Sequence, residues 1–295
     1  SVPPKTKKIK DYRNIAVSGG KFSPDTLLAI RRTERYLDVA RELQTSGYWE
    51  HQYQWIKELT GKKENIKKET AHLREILESP LDGEISQPRS DAALRYWRSK
   101  IEGKLGIFTF QFSMPENELD GFSYAFDSFP YAIVVNNQKP YVRRIFTLFH
   151  ELSHILKHKS GVCKPEYDST SDHTDMEFEC NSFAGEFLVP GHSVQKADSV
   201  DEIFKLARNF NISGEVYLRR LLEEGKISRN TFFDWLNEVK ERSNQFPRKE
   251  KKGGPSMLIQ SKSTRGNKFF SLVTNAAATN QISYSVASDL LRLKA

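Results

Sequence analysis

Cysteines and long apolar runs are what this chain of 295 residues has least of. It holds only two cysteines, Cys163 and Cys180, which is no disulfide framework and suits a reducing compartment. No apolar stretch approaches the roughly 20 residues of a membrane-spanning helix, and the opening residues carry no signal-peptide pattern. The expectation is a cytoplasmic protein without membrane contact. An initiator Met is also missing from the opening Ser1-Val2-Pro3-Pro4-Lys5, so the chain reads as trimmed or as part of a longer one. Net acidity is absent as well, the formal charge being +7. From residue 241 onward ten Lys and Arg face three acids, so the whole excess sits in the tail and residues 1–240 are neutral by count. That tail is where a weak contact with nucleic acid is expected, although it interleaves no aromatics as a base-stacking platform would.

The 38% hydrophobic and 28% charged content fits a globular chain long enough for more than one folded unit. Its most informative stretch runs from Arg143 to Leu156 and contains His150-Glu151-Leu152-Ser153-His154. Pro140 suits a first helical turn, and Ile145, Phe146, Phe149, Leu152, Ile155 and Leu156 recur at helical spacing. Lys157, His158 and Lys159 follow where a helix prefers cations, and Gly161 is placed to close it. His150 and His154 lie four residues apart, so their imidazoles share a face and can grip one ion. Glu151 is too far round to be the natural third ligand but well placed to take a proton from a metal-bound water.

Upstream the pattern changes. Residues 1–23 read as an extended arm. Ser23-Pro24 then opens a helix with Leu27, Leu28, Ile30, Tyr36, Leu37, Ala40 and Leu43 on one stripe. A charged helix is expected over 51–78, a linker over 80–88 and a third helix over 90–103. After Gly103 come three runs of strand formers, 106–112, 122–126 and 131–135, separated by turn residues. A small antiparallel sheet ahead of such a helix is the arrangement of zinc peptidases, in which an edge strand can hold an extended peptide beside the metal.

After a polar loop over 159–173, a second helix is expected from Thr174 to Leu188. Glu177 and Asn181 share a face there, which makes Glu177 the candidate third ligand and Asn181 a hydrogen-bond partner for a ligand. Thr174 and Glu177 also have capping-box spacing, which leaves Glu179 as the competing ligand. Glu179 projects about 200° away from Glu177, on the side opposite Asn181. Cys180 reads as a small buried apolar residue.

These two segments, Phe146 to His154 and Glu177 to Pro190, resemble the ImmA/IrrE family of bacterial and phage zinc metallopeptidases. The likeness rests on the threonine-containing apolar lead into the histidine motif, and on Glu177, Asn181, Phe183-Ala184 and Leu188-Val189-Pro190. Cys180 stands where the family has alanine. The resemblance implies an intracellular protease that cuts a repressor-like regulatory protein and so releases gene expression. It also implies, for longer members, an N-terminal helix-turn-helix domain, here removed or lying upstream.

Downstream, three short helices are expected over 200–211, 214–224 and 228–239. The stretch 207–221 has a helix-turn-helix cadence. Its basic residues Arg219 and Arg220 are opposed by Glu215, Glu223 and Glu224, which favours packing over DNA reading. A charged linker at 248–255 precedes two small helices, 269–278 and 283–293.

The expected fold class is α+β: a mainly helical chain with a zincin-like unit of a small antiparallel sheet packed on the histidine-motif helix. The expected division is 1–88 for arm and helices, 89–195 for the peptidase domain, 196–240 for a helix-turn-helix-like subdomain and 241–295 for linker and tail helices. The expected cofactor is Zn²⁺, held by His150, His154 and Glu177, with Glu151 as catalytic base. The rival expectation is a metal-containing regulator or sensor without peptidase activity. Glu151 argues against it, because a purely structural site has no use for a base.

Overall fold

The polar backbone of a strand has to be paired, and here the pairing is unusual for so short a sheet. The structure is a computed structural model that describes residues 22–44, 48, 65–80, 90–125, 130–157, 162–163, 174–245 and 256–293. Strands β1 (Phe108–Phe112), β2 (Gly121–Tyr124), β3 (Ala132–Asn136) and the two-residue β4 (Val162–Cys163) form one sheet in the order β1-β3-β2-β4. β3 is antiparallel to β2 but parallel to β1, with Phe110 opposite Val134. The class is α+β as expected, but the sheet is mixed, not antiparallel throughout. The reason lies in the 113–120 connection, which spans the width of a strand so that β3 inserts between β1 and β2. The buried Asn136 side chain ties that connection down, accepting from Met114 N–H at 3.3 Å and donating to the Met114 and Leu119 carbonyls at 2.9 and 2.8 Å. The first three strands are buried along their whole length; β3 accordingly reads as an apolar run, whereas β1 and β2 bury the polar Thr109, Gln111 and Ser123 among their apolar residues.

Ten α-helices surround the sheet among the described residues. In chain order they are α1 (Pro24–Leu43), α2 (Ile66–Ile76), α3 (Ser90–Lys100), α4 (Tyr141–Leu156), α5 (Thr174–Leu188), α6 (Val200–Asn209), α7 (Gly214–Glu223), α8 (Arg229–Gln245), α9 (Met257–Ala278) and α10 (Tyr284–Leu291). α4 packs on β2 and β3, and α5 packs on α4 and α2. α3 continues through a π-helical turn (Ile101–Leu105) and stops at Gly106, whose φ of 71° suits glycine. Trp97 from α3 wedges between α4 and α5, its ring 5.0 Å from Phe149 and 5.4 Å from Phe187.

The C-terminal helices belong to the same core. α9 packs on β1 and on α1, and Phe269 sets its ring tilted 4.6 Å from Tyr36 and edge-on 5.8 Å from Phe110. The helix begins well before the expected Phe269 and breaks at Gly266, where φ is 75° and ψ 161°. Glu102 accounts for the break: its carboxylate accepts from the N–H groups of Asn267 and Lys268 at 2.9 and 3.1 Å, capping the second half of the helix.

Elsewhere the structure departs from the sequence reading in detail. Leu27 and Leu28, expected on the buried stripe of α1, are exposed. The expected helix over 51–78 is helical from Ile66 to Ile76, its earlier part and the 81–88 linker lying outside the described residues, as do Gly161 and the 248–255 linker. α7 presents no free arginines: Arg219 pairs with Glu215 at 3.0 Å, and the buried Arg220 bonds Glu186, Glu223, Glu224 and the Val189 carbonyl. That supports packing over nucleic-acid contact for this segment.

Candidate metal centre

α4 is buried from Ile145 to Ile155 without interruption, so its polar side chains have to find partners inside the protein. Its start is fixed by Asp120, which accepts from Arg143 Nε at 2.8 Å and pairs with Lys139 at 2.8 Å. Its middle lies close against β2 because Gly121 leaves room. A Cβ there would sit 2.6 Å from Thr147 Cγ2 and 2.5 Å from the Val134 carbonyl oxygen.

The histidines of α4 meet α5 at a single point. His150 Nε2 and His154 Nε2 are 3.2 Å apart, Glu177 Oε2 is 3.1 Å from the first, and Glu177 Oε1 is 3.3 Å from the second. His150, His154 and Glu177 form the group among the described residues able to share one metal ion. A tetrahedral zinc with bonds of about 2.0–2.1 Å has its ligand atoms about 3.3–3.4 Å apart, so the three donors already stand near the spacing such an ion needs. Asn181, one turn after Glu177, places Oδ1 3.0 Å from His150 Nδ1. An amide oxygen only accepts, so Nδ1 carries the hydrogen and Nε2 keeps its lone pair for the cluster.

Charge follows the same geometry. Burial pushes the Glu177 carboxyl up, but contacts with His150 and His154 outweigh it and hold it down to about 2. Burial pushes His154 down, but hydrogen bonds with Cys180 and Glu177 and the charge of Glu151 outweigh it, and its pKa rises to about 11. Glu151 is fully buried and neither carboxylate oxygen has a well-formed hydrogen bond. Burial raises its pKa, against the pull of His154, His150 and Ser123.

Glu179, the competing ligand, points the other way and bonds Lys157 Nζ at 2.5 Å. Two neighbours were not anticipated from the sequence. Cys180 is buried as expected, yet its thiol also bonds His154. Ser123 of β2 reaches the Glu151 carboxyl. Cys180 could have been found from its position three residues after Glu177; Ser123 carries no local signal, since only the sheet brings it near.

Residues 102–222 match the Peptidase_M78 family, described as the IrrE N-terminal-like domain. This segment belongs to the ImmA/IrrE family. It is a metallopeptidase-type domain, and its substrate class is protein. No curated protein sequence matches the chain. The matched segment takes in the π-helical turn, β1 to β3, α4, α5, α6 and most of α7, and leaves α1, α9 and α10 outside. No helix of the described residues is long and apolar enough to cross a membrane.

Proposed function

We propose that the chain is a zinc-dependent endopeptidase of the cytoplasm that cuts a repressor or other regulatory protein and so releases gene expression. The observation that carries the reading is the convergence of His150, His154 and Glu177 at 3.1–3.3 Å beside the fully buried Glu151. His150, His154 and Glu177 would hold the ion, and Asn181 would orient His150. Zinc bound there supplies Lewis-acid polarisation of a scissile carbonyl and lowers the pKa of water.

Glu151 takes the proton of the attacking water on a carboxylate oxygen and passes it to the leaving amine. Neither of its oxygens is tied into a well-formed hydrogen bond, so the carboxylate can exchange that proton, and its burial keeps bulk water away. β4 is an outer strand of the sheet beside α4, and an extended substrate would pair with it. The basic residues beyond 240 are the part that would make weak, salt-sensitive contact with nucleic acid.

The test is Glu151→Gln in the full chain, measured by metal content and by cleavage of the protein partner that the variant captures. The variant should keep about one zinc per chain and lose cleavage by about 100-fold or more. Cleavage at the wild-type rate would remove Glu151 from the reaction.

A further inference from the structure

Away from the metal centre, and outside residues 102–222, three arginines from distant parts of the chain converge. Arg32 lies on α1, Arg265 directly precedes the Gly266 break in α9, and Arg292 caps α10 in the left-handed conformation with φ 48°. All three line one cavity of about 150 Å³. A second cavity, of about 270 Å³, shares Arg32, Tyr36 and Arg292 and adds Arg31 and Arg35. We propose that this is a binding site for a small phosphomonoester, with the phosphate among Arg32, Arg265 and Arg292.

Arg265 forms the floor. It is 3% exposed, and its Nε donates to Tyr36 Oη at 3.1 Å and to the Leu290 carbonyl at 2.7 Å. Those bonds fix the guanidinium plane, so little side-chain freedom is lost when an anion arrives. Arg32 and Arg292 have no ion-pair partner among the described residues. Asp289 is the carboxylate that lines either cavity, and it lines only the outer one; Asp25 acts on Arg32 but lines neither. Burial lowers the pKa of Arg32, and so do the charges of Arg292 and Arg265 beside it. Three cations facing one another across a cavity repel, and an anion between them turns the repulsion into charge-assisted hydrogen bonds.

The site's shape selects the kind of anion. A phosphomonoester carries a charge of about −1.5 to −2 near pH 7, closer to the demand of three guanidiniums than one carboxylate. A nucleic-acid phosphodiester, held within its own backbone, cannot bring its oxygens down to a guanidinium that is 3% exposed. Tyr36, Phe112 and Met257 line the inner space, and Leu28 and Leu290 the outer, so an apolar or aromatic group attached to the phosphate has a wall to lie on. A ligand there would tie α1, α9 and α10 together.

The test uses the full chain and two probes, inorganic phosphate and phenyl phosphate, with phenol as the uncharged control and duplex DNA as competitor. Calorimetry should show phenyl phosphate binding about tenfold more tightly than phosphate, no binding of phenol, and no displacement by DNA. Arg32→Gln and Arg292→Gln, both substitutions at the rim, should each weaken phenyl phosphate about tenfold or more. Zinc content should stay at the wild-type level in both variants, showing that the fold stands. Absence of binding by either probe, unchanged affinity in both variants, or displacement by DNA would each overturn the proposal.

Discussion

Lys157 Nζ bonds Glu179 Oε2 at 2.5 Å, so the glutamate that rivals Glu177 is held on the side of α5 away from the histidines. Two residues along a helix is a rotation of about 200°, and Glu177 accordingly faces His150 and His154 while Glu179 faces solvent. Glu177→Gln should leave the purified chain with almost no zinc, because a neutral amide is a poor replacement for the carboxylate of a three-ligand set. Glu179→Gln should leave zinc content unchanged and cost at most about 1 kcal/mol of stability, the ordinary worth of an exposed ion pair. Metal analysis of the two variants side by side decides the matter; a zinc-free Glu179→Gln would put the ligand on the wrong face.

Asn181 supplies a second check on the same cluster. Its Oδ1 accepts from His150 Nδ1 at 3.0 Å and so holds the ring with Nε2 toward Glu177. Residues that orient a metal-binding histidine in this way typically contribute about 10–100-fold to affinity. Asn181→Ala should therefore weaken zinc by that factor in a chelator titration, and Asn181→Asp, which keeps the acceptor, should retain most of it. Equal affinity in the wild type and Asn181→Ala would mean that the ring is held by packing alone.

The two helices of the metal cluster were legible in the sequence because each announces itself locally. Apolar residues at helical spacing set the phase of α4, and that phase alone puts His150 and His154 on one face. The same argument placed Glu177 with Asn181 on α5. The order of the sheet was not legible. Whether β3 pairs with β1 or lies beyond β2 depends on the 113–120 connection, and on bonds that Asn136 makes to Met114 and Leu119, 22 and 17 residues away. Ser123 beside Glu151 is a consequence of that order and was hidden with it. The arginine cluster was hidden for a similar reason: Arg32 and Arg265 look like ordinary solvated residues until α9 lies down next to α1.

The placement of α9 makes the C-terminal segment indispensable to the fold, although in the sequence it follows a charged stretch and reads as a tail. Phe269, Phe270 and Val273 are buried on α9, and Phe269 covers Phe108 and Phe110 of β1 with ring centroids 6.0 and 5.8 Å away. Burying a large apolar side chain contributes about 1.5–3 kcal/mol, so these three and the surface they cover account for roughly 5–10 kcal/mol, as much as the whole net stability of many domains. Deletion of residues 256–295 should yield an insoluble or unfolded chain without a zinc site. A truncated chain with the wild-type circular dichroism spectrum and full zinc content would show that the sheet stands without α9.

Gly266 is where that packing is most sensitive. The residue sits at φ 75° and ψ 161°, a conformation open almost only to glycine. A Cβ there would fall 1.9 Å from Glu102 Oε1 and 2.7 Å from the Thr109 carbonyl oxygen. Neither neighbour can give way easily. Glu102 is buried and bonded to Thr109 and to the N–H groups of Asn267 and Lys268, and the Thr109 carbonyl belongs to β1 and accepts from Arg98. Backbone strain alone costs about 1–3 kcal/mol, and displacement of Glu102 would remove the cap of the second half of α9, about 1 kcal/mol more. Gly266→Ala should thus lower the melting temperature by about 4 °C or more. Glu102→Ala should lower it by a smaller amount, since it removes the cap without the clash. The double variant should recover part of the Gly266→Ala loss, because the side chain that the new methyl meets is gone. If the double variant is instead the sum of the two single ones, Gly266 and Glu102 act independently, and backbone conformation together with the Thr109 carbonyl sets the requirement for glycine.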